Sequence, residues 1–449
     1  MVSIILVSFN KWEVTKACVE SIQASVRMPY EVIVIDNASA PETVDALHKL
    51  PGIRLICNTV NAGFPAACNT GLREAKGNLI WFLNNDTLVP PHSLERMAEL
   101  LISDPKIGMV GPVTNYISGI QQIPVTYKSD SGVNDFAAEI ALHYKGQFRR
   151  VLRLVGFSML IRKSTLDELG GFDERMGIGT FEDDDLSLRL ISYGYRLYVA
   201  LDAFIHHIGG ASFQAAGLST TAGDENQQIV STTFGLTIPD ETMLNEALLS
   251  RIRQKAKVIL HVECGAGSLG LALTEAGKAV FGLESDIRKG RLARDHYCAF
   301  HTYAAGQDFS LPCGFDGFDA LVVEQQLDHE TSLSILRSVR PALQPGAQVI
   351  LQVPKIVAVH EGVLNTYMDR WAPGIGHYST RGKFNIQFFL DRMASLGFQP
   401  VQMELEDVRQ SFFNCCSFVR HKQTWRKTEY DLPFFQAWMV EFSFAYRAC

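Results

Sequence analysis

The chain has 449 residues, 47% hydrophobic and 20% charged, with 35 Gly and 17 Pro. At roughly 150 residues per domain, that length calls for more than one core, and the composition excludes a disordered chain, a collagen-like repeat and a coiled coil. A formal net charge of -7 and a pI near 6.0 argue against general nucleic-acid binding, and no apolar run approaches the roughly 18 residues of a membrane-spanning helix.

The opening segment MVSIILVSFN has neither the charged start nor the small-residue cleavage site of a secretory signal. It reads as a buried first strand, and the expected location is the cytoplasm. From Val2 to His207 short Val/Ile/Leu runs alternate with helix-like segments: SIILVSF, WEVTKACVESI, EVIVIDN, PETVDALHKL and IRLICN. This βαβαβ rhythm predicts a doubly wound α/β domain over residues 1–238, with a mostly parallel sheet and helices on both faces. Residues 214–233 are mainly Ala, Gly, Ser, Thr, Gln and Asn. So little apolar surface predicts a mobile loop or linker.

A second βα rhythm starts at Val258 within KVILHVECGAGSLGLALTEAG and continues through AVFGLES, FDALVVE and AQVILQVP. It ends in two candidate antiparallel strands, FQPVQMEL and WMVEFSFAYRA. A fresh glycine-rich first turn in mid-chain marks a second doubly wound domain, residues 250–449, with the boundary between Pro239 and Ser250. Nine cysteines, including the adjacent Cys415 and Cys416, form no CxxC pair or disulfide framework and read as reduced thiols.

Ligands of open α/β sheets bind at the carboxyl ends of the strands. In the first half those ends carry Ser8-Phe9-Asn10, Asp36-Asn37 and Asn84-Asn85-Asp86. Asp and Asn are ordinary turn residues, but three polar ends at corresponding positions point to a shared site. The sharpest local signal is FEDDDLSLRL, whose four consecutive acids repel one another where a solvated helix start needs only one or two. Asp185 and Arg189, four residues apart, read as an ion pair on that helix.

The ordered pieces SFN, VIDNAS, NAGFPAACNTGLREAKG, FLNNDT, LGGFDERMGIGTFEDDDLSLRLISYGYRL and HHIGGASF resemble the inverting family 2 glycosyltransferases over roughly the first 210 residues. The resemblance implies a nucleotide-diphospho-sugar transferase fold, with Ser8, Asn10, Asp36, Asn61, Gly63, Asn84 and Asp86 around the donor. Asp36 would take its uracil or ribose end. Asp86 would be the metal-binding acid of a variant DxD motif, with Asn84 in the first acidic position hydrogen-bonding the ribose or a metal-bound water. By the same resemblance Asp183 is the base for the acceptor hydroxyl, positioned and raised in pKa by Glu182, and Asp184 is the second choice. His207 would reach the metal or the diphosphate, with His206 as the alternative. The stretch from Gln214 resembles a loop that closes over donor and acceptor, and Cys68 stands where many relatives carry a basic residue. The implied cofactor is Mn²⁺ or Mg²⁺. The implied partners are a UDP- or dTDP-sugar and a glycan, lipid-linked or glycoprotein acceptor.

In the second half Gly265, Gly267 and Gly270 follow a strand and open a helix, Glu263 lies just before them, and Glu284 ends the next strand. That pattern fits a dinucleotide or an S-adenosylmethionine site. The segments GQDFSL around Asp308, FDALVVEQQLDH and LQPGAQVILQVP resemble class I methyltransferases. This implies a Rossmann-like domain binding S-adenosylmethionine, which either methylates the glycan made by the first half or serves acceptor binding or homodimer formation.

Overall fold

An apolar run without polar alternation fits a strand covered on both faces, and Val2–Ser8 (β1) is buried at all its positions except Val7. It is followed by α1 (Trp12–Ser25), β2 (Tyr30–Asp36), α2 (Pro41–His48), β3 (Arg54–Cys57), α3 (Phe64–Glu74) and β4 (Leu79–Asn84). Next come β5 (Thr87–Leu88), α4 (Ser93–Ser103), β6 (Ile107–Val113), α5 (Val133–His143), β7 (Phe148–Val151) and β8 (Ser158–Arg162). The first half ends with α6 (Lys163–Leu169), α7 (Glu182–Ser192), β9 (Arg196–Phe204), β10 (His206–His207) and α8 (Thr220–Phe234).

The computed structural model describes residues 1–117, 119–209, 220–238, 240–304, 311–312, 314–325, 329–355, 398–407 and 436–444. The chain divides into two compact units, Met1–Met243 and Leu244–Cys449.

The sheet of the first unit has the order β3-β2-β1-β4-β8-β6-β9-β7. β1 pairs in parallel with both β2 and β4, whereas β8 runs antiparallel to β4 and β6, and β7 antiparallel to β9. The strand order therefore reverses between β1 and β4, which makes that crevice the switch point where an α/β sheet binds its ligand. The core below it includes Ile4, Leu6, Val34, Trp81, Leu83 and Leu160. Trp81 also donates from Nε1 to Ser158 Oγ at 2.9 Å, tying β4 to β8. On α4 the buried Leu94, Met97, Ala98 and Leu101 form the single apolar stripe of a surface helix.

The stretch expected to be a mobile loop is otherwise from Thr220 onward. Residues 220–234 form helix α8, while 214–219 lie outside the described residues. One face carries its anchors: Val230 and Phe234 are buried, and Asn226, one turn earlier, is buried with them. Overall polarity hid an amphipathic helix whose anchors lie four residues apart.

In the second unit β11 (Val258–Val262), β12 (Ala279–Glu284), β13 (Ala299–Thr302) and β14 (Phe318–Val323) are parallel strands. They continue into β15 (Leu343–Lys355), which pairs in parallel with β14. β16 (Phe398–Asp407) and β17 (Gln436–Phe444) complete a sheet of order β13-β12-β11-β14-β15-β17-β16, with β17 antiparallel to both neighbours. Its two faces are covered by separate cores, one around Leu321, Val323 and Leu336, the other around Ile259, Leu269 and Leu273. Among the described residues no helix is long and apolar enough to cross a membrane.

If α8 docks through its buried face, Val230→Asp should destabilise the first unit by about 3 kcal/mol or more, because it buries an unpaired charge. Gln228→Glu, at an exposed position, should stay within about 0.5 kcal/mol. Denaturant unfolding of the two variants measures the contrast.

Candidate active site

The first strand ends are knitted together by side chains. Asn10, with φ of 56°, accepts from Ala40 N at 3.0 Å through Oδ1, and its own N–H donates to Ser39 Oγ at 2.8 Å. Asp36 is 1% exposed, and its Oδ2 accepts from Ser39 N at 3.1 Å. Its Oδ1 is buried with no hydrogen-bond partner, an arrangement that costs free energy unless a ligand donor meets it. Ser8 is fully buried, its hydroxyl 3.0 Å from that of Thr15, so it braces β1 against α1. Asn61 Oδ1 accepts from Asn37 Nδ2 at 2.7 Å and from Gly63 N at 3.0 Å, which shapes the turn into α3.

Gly63 is required sterically. With φ of +84°, a Cβ there would stand 1.9 Å from the Gly177 carbonyl oxygen. This close backbone approach, with Phe64 N donating to Ile178 O at 3.1 Å, links the start of α3 to the turn before α7. Asn69 adds a second link, donating to Phe172 O and accepting from Phe172 N, each at 2.9 Å. Cys68 is buried, and burial, with a smaller contribution from the neighbouring Glu182 carboxyl, raises its thiol well above the usual range.

Beyond β4, the two-stranded ribbon of β5 and β10 sets His207 opposite Thr87, and Ile208 N donates to Asp86 O at 2.9 Å. The pairing brings Asp86 Oδ1 to 3.2 Å from His207 Nε2, both side chains being buried. Nδ1 of His207 lies 2.8 Å from the Tyr116 carbonyl, so Nδ1 must carry a proton and Nε2 faces the carboxylate. Burial disfavours the imidazolium, but the Asp86 carboxylate and the Tyr116 carbonyl outweigh it and raise the pKa of His207. Asn84 Nδ2 is 3.5 Å from the same Nε2. His206 points elsewhere, to the Tyr127 hydroxyl at 2.6 Å and to Asp130 at 3.9 Å.

Asp86 and His207 suit a divalent cation. A histidine that ligates through one nitrogen typically donates from the other to a carbonyl, and adjacent ligands of an octahedral ion at about 2.1 Å lie about 3 Å apart. Among the described residues no group of three or more His, Cys, Asp or Glu could hold a metal. Such an ion would therefore take its remaining oxygens from a diphosphate and water, as Mg²⁺ commonly does.

The four acids opening α7 are all buried, at 3–8% exposure. Two have a structural partner: Asp184 pairs with Arg153 at 2.6 Å and Asp185 with Arg189 at 2.7 Å. Arg189 also donates to the carbonyls of Leu169 and Gly171. Asp183 instead accepts backbone amides, from Gly156 N at 2.7 Å to Oδ2 and from its neighbour Asp184 N at 2.9 Å to Oδ1. Glu182 Oε2 is buried without a partner. Burial, reinforced by the Asp183 charge, raises Glu182 to about 8 and Asp184 to about 7, Arg153 opposing the rise at Asp184.

Gly156 and Phe157, unremarkable in the sequence, join the acid to the histidine. Gly156 holds Asp183, while Phe157 accepts from Asn84 N at 2.8 Å and stacks on the His207 ring at 5.3 Å. The turn preceding α7 is strained: Thr180 and Phe181 have φ of 80° and 64°, at a cost of about 1–3 kcal/mol each.

Residues 3–170 match the model for Glycosyl transferase family 2. The N-terminal half carries a family 2 glycosyltransferase domain. The O-antigen biosynthesis protein RfbC of Myxococcus xanthus is 30% identical over 224 residues, covering 46% of this chain and 17% of that protein. The UDP-Glc:alpha-D-GlcNAc-diphosphoundecaprenol beta-1,3-glucosyltransferase WfaP of Escherichia coli is 35% identical over 88 residues, 19% of this chain and 35% of that protein. The chain thus spans 17–35% of the length of these two curated relatives. Among solved structures, the mannosyltransferase PcManGT from Pyrobaculum calidifontis, in complex with GDP-Man and Mn²⁺, aligns at 21% identity and a TM-score of 0.37. That alignment covers 48% of this chain and 59% of the mannosyltransferase. The α7 acids and His207 lie beyond the stretch matched by the glycosyltransferase family model, so only the fold brings them to it.

In the second unit Glu263, with φ of 50°, accepts from Ser285 Oγ at 2.9 Å and from the Tyr303 hydroxyl. Both Glu284 oxygens are engaged, by Gly265 N and Asp286 N at 2.8 Å each, and burial beside Glu263 raises its pKa to about 8. Gly267 and Gly270 have steric reasons: a Cβ would stand 2.8 Å from His296 Nδ1 at the first and 2.2 Å from the Tyr297 ring at the second. Asp308 lies outside the described residues.

A carboxyl group whose pKa is raised by folding stabilises the fold fully below its ordinary value, and that contribution is lost as the pH rises through the folded value. For Glu182 the window runs from 4.5 to about 8. Glu182→Gln should therefore be more stable than the wild type at pH 8, by on the order of a few kcal/mol, and this gain should vanish near pH 4, as unfolding at both pH values will reveal.

Proposed function

We propose that the first unit transfers a sugar, with inversion, from a nucleotide-diphospho-sugar to a hydroxyl of a glycan, lipid-linked or protein acceptor, using a divalent cation. The carrying observation is the Asp86–His207 pair at the switch point, joined through Gly156 and Phe157 to Asp183. Asp86 and His207 would hold the Mn²⁺ or Mg²⁺, which neutralises charge developing on the diphosphate leaving group. Asp36, with its unpartnered Oδ1, would accept from the uracil or ribose. Asn10, Asn61 and Gly63, which shape the loops at these strand ends, would line the donor.

Asp183 takes the proton of the acceptor hydroxyl as that oxygen attacks the anomeric carbon. The bond from that carbon to the diphosphate breaks, and its electron pair leaves on the phosphate oxygen. The Gly156 and Asp184 amides fix the carboxylate's orientation while leaving lone pairs for the incoming proton. Asp184, committed to Arg153, is the poorer base. The name of the WfaP relative, with a UDP-Glc donor and a diphosphoundecaprenol-linked acceptor, favours a UDP-sugar and a lipid-linked glycan here.

For the second unit we propose binding of S-adenosylmethionine. The strand order, the glycine turn after β11 and the acid ending β12 support it. Methylation of the glycan is one use of that cofactor. A noncatalytic role in acceptor binding or dimerisation is the second reading. Calorimetric titration with S-adenosylmethionine decides whether it binds: no heat of binding removes the methyltransferase reading, and binding without turnover favours the noncatalytic one.

Nucleotide release from a panel of sugar donors tests the first unit. Wild-type protein should release nucleotide from one donor only with Mn²⁺ or Mg²⁺ present, and Asp86→Ala should abolish that release. Asp183→Asn should lower turnover by about 10²- to 10⁴-fold with donor binding retained. Release that is independent of metal, or unaffected by either substitution, overturns these assignments.

A further inference from the structure

We infer that Asn226 is a positioning residue for Asp183, acting from α8 on the turn that leads into α7; this rests on the sugar-transfer reading above. A helix that merely docks needs an apolar side chain at a buried stripe position. Yet Asn226, 5% exposed, shares its stripe with Val230 at 0% and Phe234 at 7%. Its Nδ2 lies 2.8 Å from Met176 O, 2.9 Å from Gly179 O and 3.0 Å from Thr180 O, with Thr180 Oγ1 at 3.3 Å. The two hydrogens of one amide group are therefore shared among three carbonyls of a single turn.

The turn needs such a clamp. Gly177, Gly179, Thr180 and Phe181 all have positive φ, at 57°, 131°, 80° and 64°. A backbone in these conformations makes no regular ladder: Met176 O accepts from Gly179 N at 3.1 Å within the turn, and side-chain donors from elsewhere complete the hydrogen bonding of its buried carbonyls. One side of the turn rests on Gly63, where the backbones approach too closely for any side chain. Asn226 holds the other side. The last residue of the turn, Phe181, accepts from Asp185 N at 2.9 Å to start α7, and Asp183 lies two residues further along. Release of the turn would shift the first turn of α7, and a misplacement of about 1 Å can cost about 100-fold in rate.

The test compares Asn226→Leu, Asn226→Asp and Val230→Ala in the full chain. Asn226→Asp keeps the shape but replaces the donor with an acceptor, and Val230→Ala weakens α8 docking while keeping the Asn226 amide. The readouts are the rate of nucleotide release, donor affinity by calorimetry and amide exchange over residues 176–185. Both Asn226 variants should lose about 10- to 100-fold in turnover with donor affinity kept and exchange raised, whereas Val230→Ala should keep its turnover. Equal losses in Val230→Ala and Asn226→Leu, or undiminished turnover in Asn226→Leu, overturn the inference while leaving sugar transfer intact. A wild-type protein inert to every donor overturns sugar transfer, and with it the role given to Asn226.

Discussion

Four consecutive carboxyl groups buried at the start of one helix constrain everything around them. Charged groups leave water only when paired, hydrogen-bonded or protonated, and the first unit uses all three means. Arg153 and Arg189 pair with Asp184 and Asp185. Backbone amides receive Asp183, and Glu182 is shifted toward its protonated form by burial and by its neighbour's charge. The N-terminal end of α7 adds a favourable dipole to each negative charge. Once the other acids are accounted for, Asp183 is left with amide-fixed geometry and, among the described residues, no cation of its own, a state that suits the base proposed for it.

The backbone in front of these acids is irregular. A chain entering a helix through consecutive positive-φ residues is strained, and it persists because it is packed from two directions, by the α3 start at Gly63 and by α8 at Asn226. The metal-type pair is built more economically. A ribbon of two short strands sets Asp86 beside His207, and a single backbone carbonyl selects the histidine tautomer. Phe157 then packs on the imidazole while the residue before it holds Asp183.

The second unit shows how one glycine pattern can answer two demands. Gly267 and Gly270 are where a Cβ would strike His296 or Tyr297, so packing alone requires them. Gly265 gives its amide to Glu284, which ties the turn after β11 to the end of β12.

The sequence by itself determined the two α/β rhythms, the strands β1, β2, β4, β11 and β12, and the polar residues at or just beyond their ends, because burial of a parallel strand on both faces demands an uninterrupted apolar run that stops where the ligand side begins. It also marked the α7 acids, since no solvated helix start needs four. Only the tertiary structure decided which acid is committed to an arginine, which histidine faces Asp86, and that Gly63 serves backbone contact; each depends on partners roughly 30 to 120 residues away in the chain. The α8 helix was hidden for a related reason: its polar composition describes the exposed face, whereas its order comes from Asn226, Val230 and Phe234 against the first unit. Composition averages over a helix, but docking depends on one stripe of it.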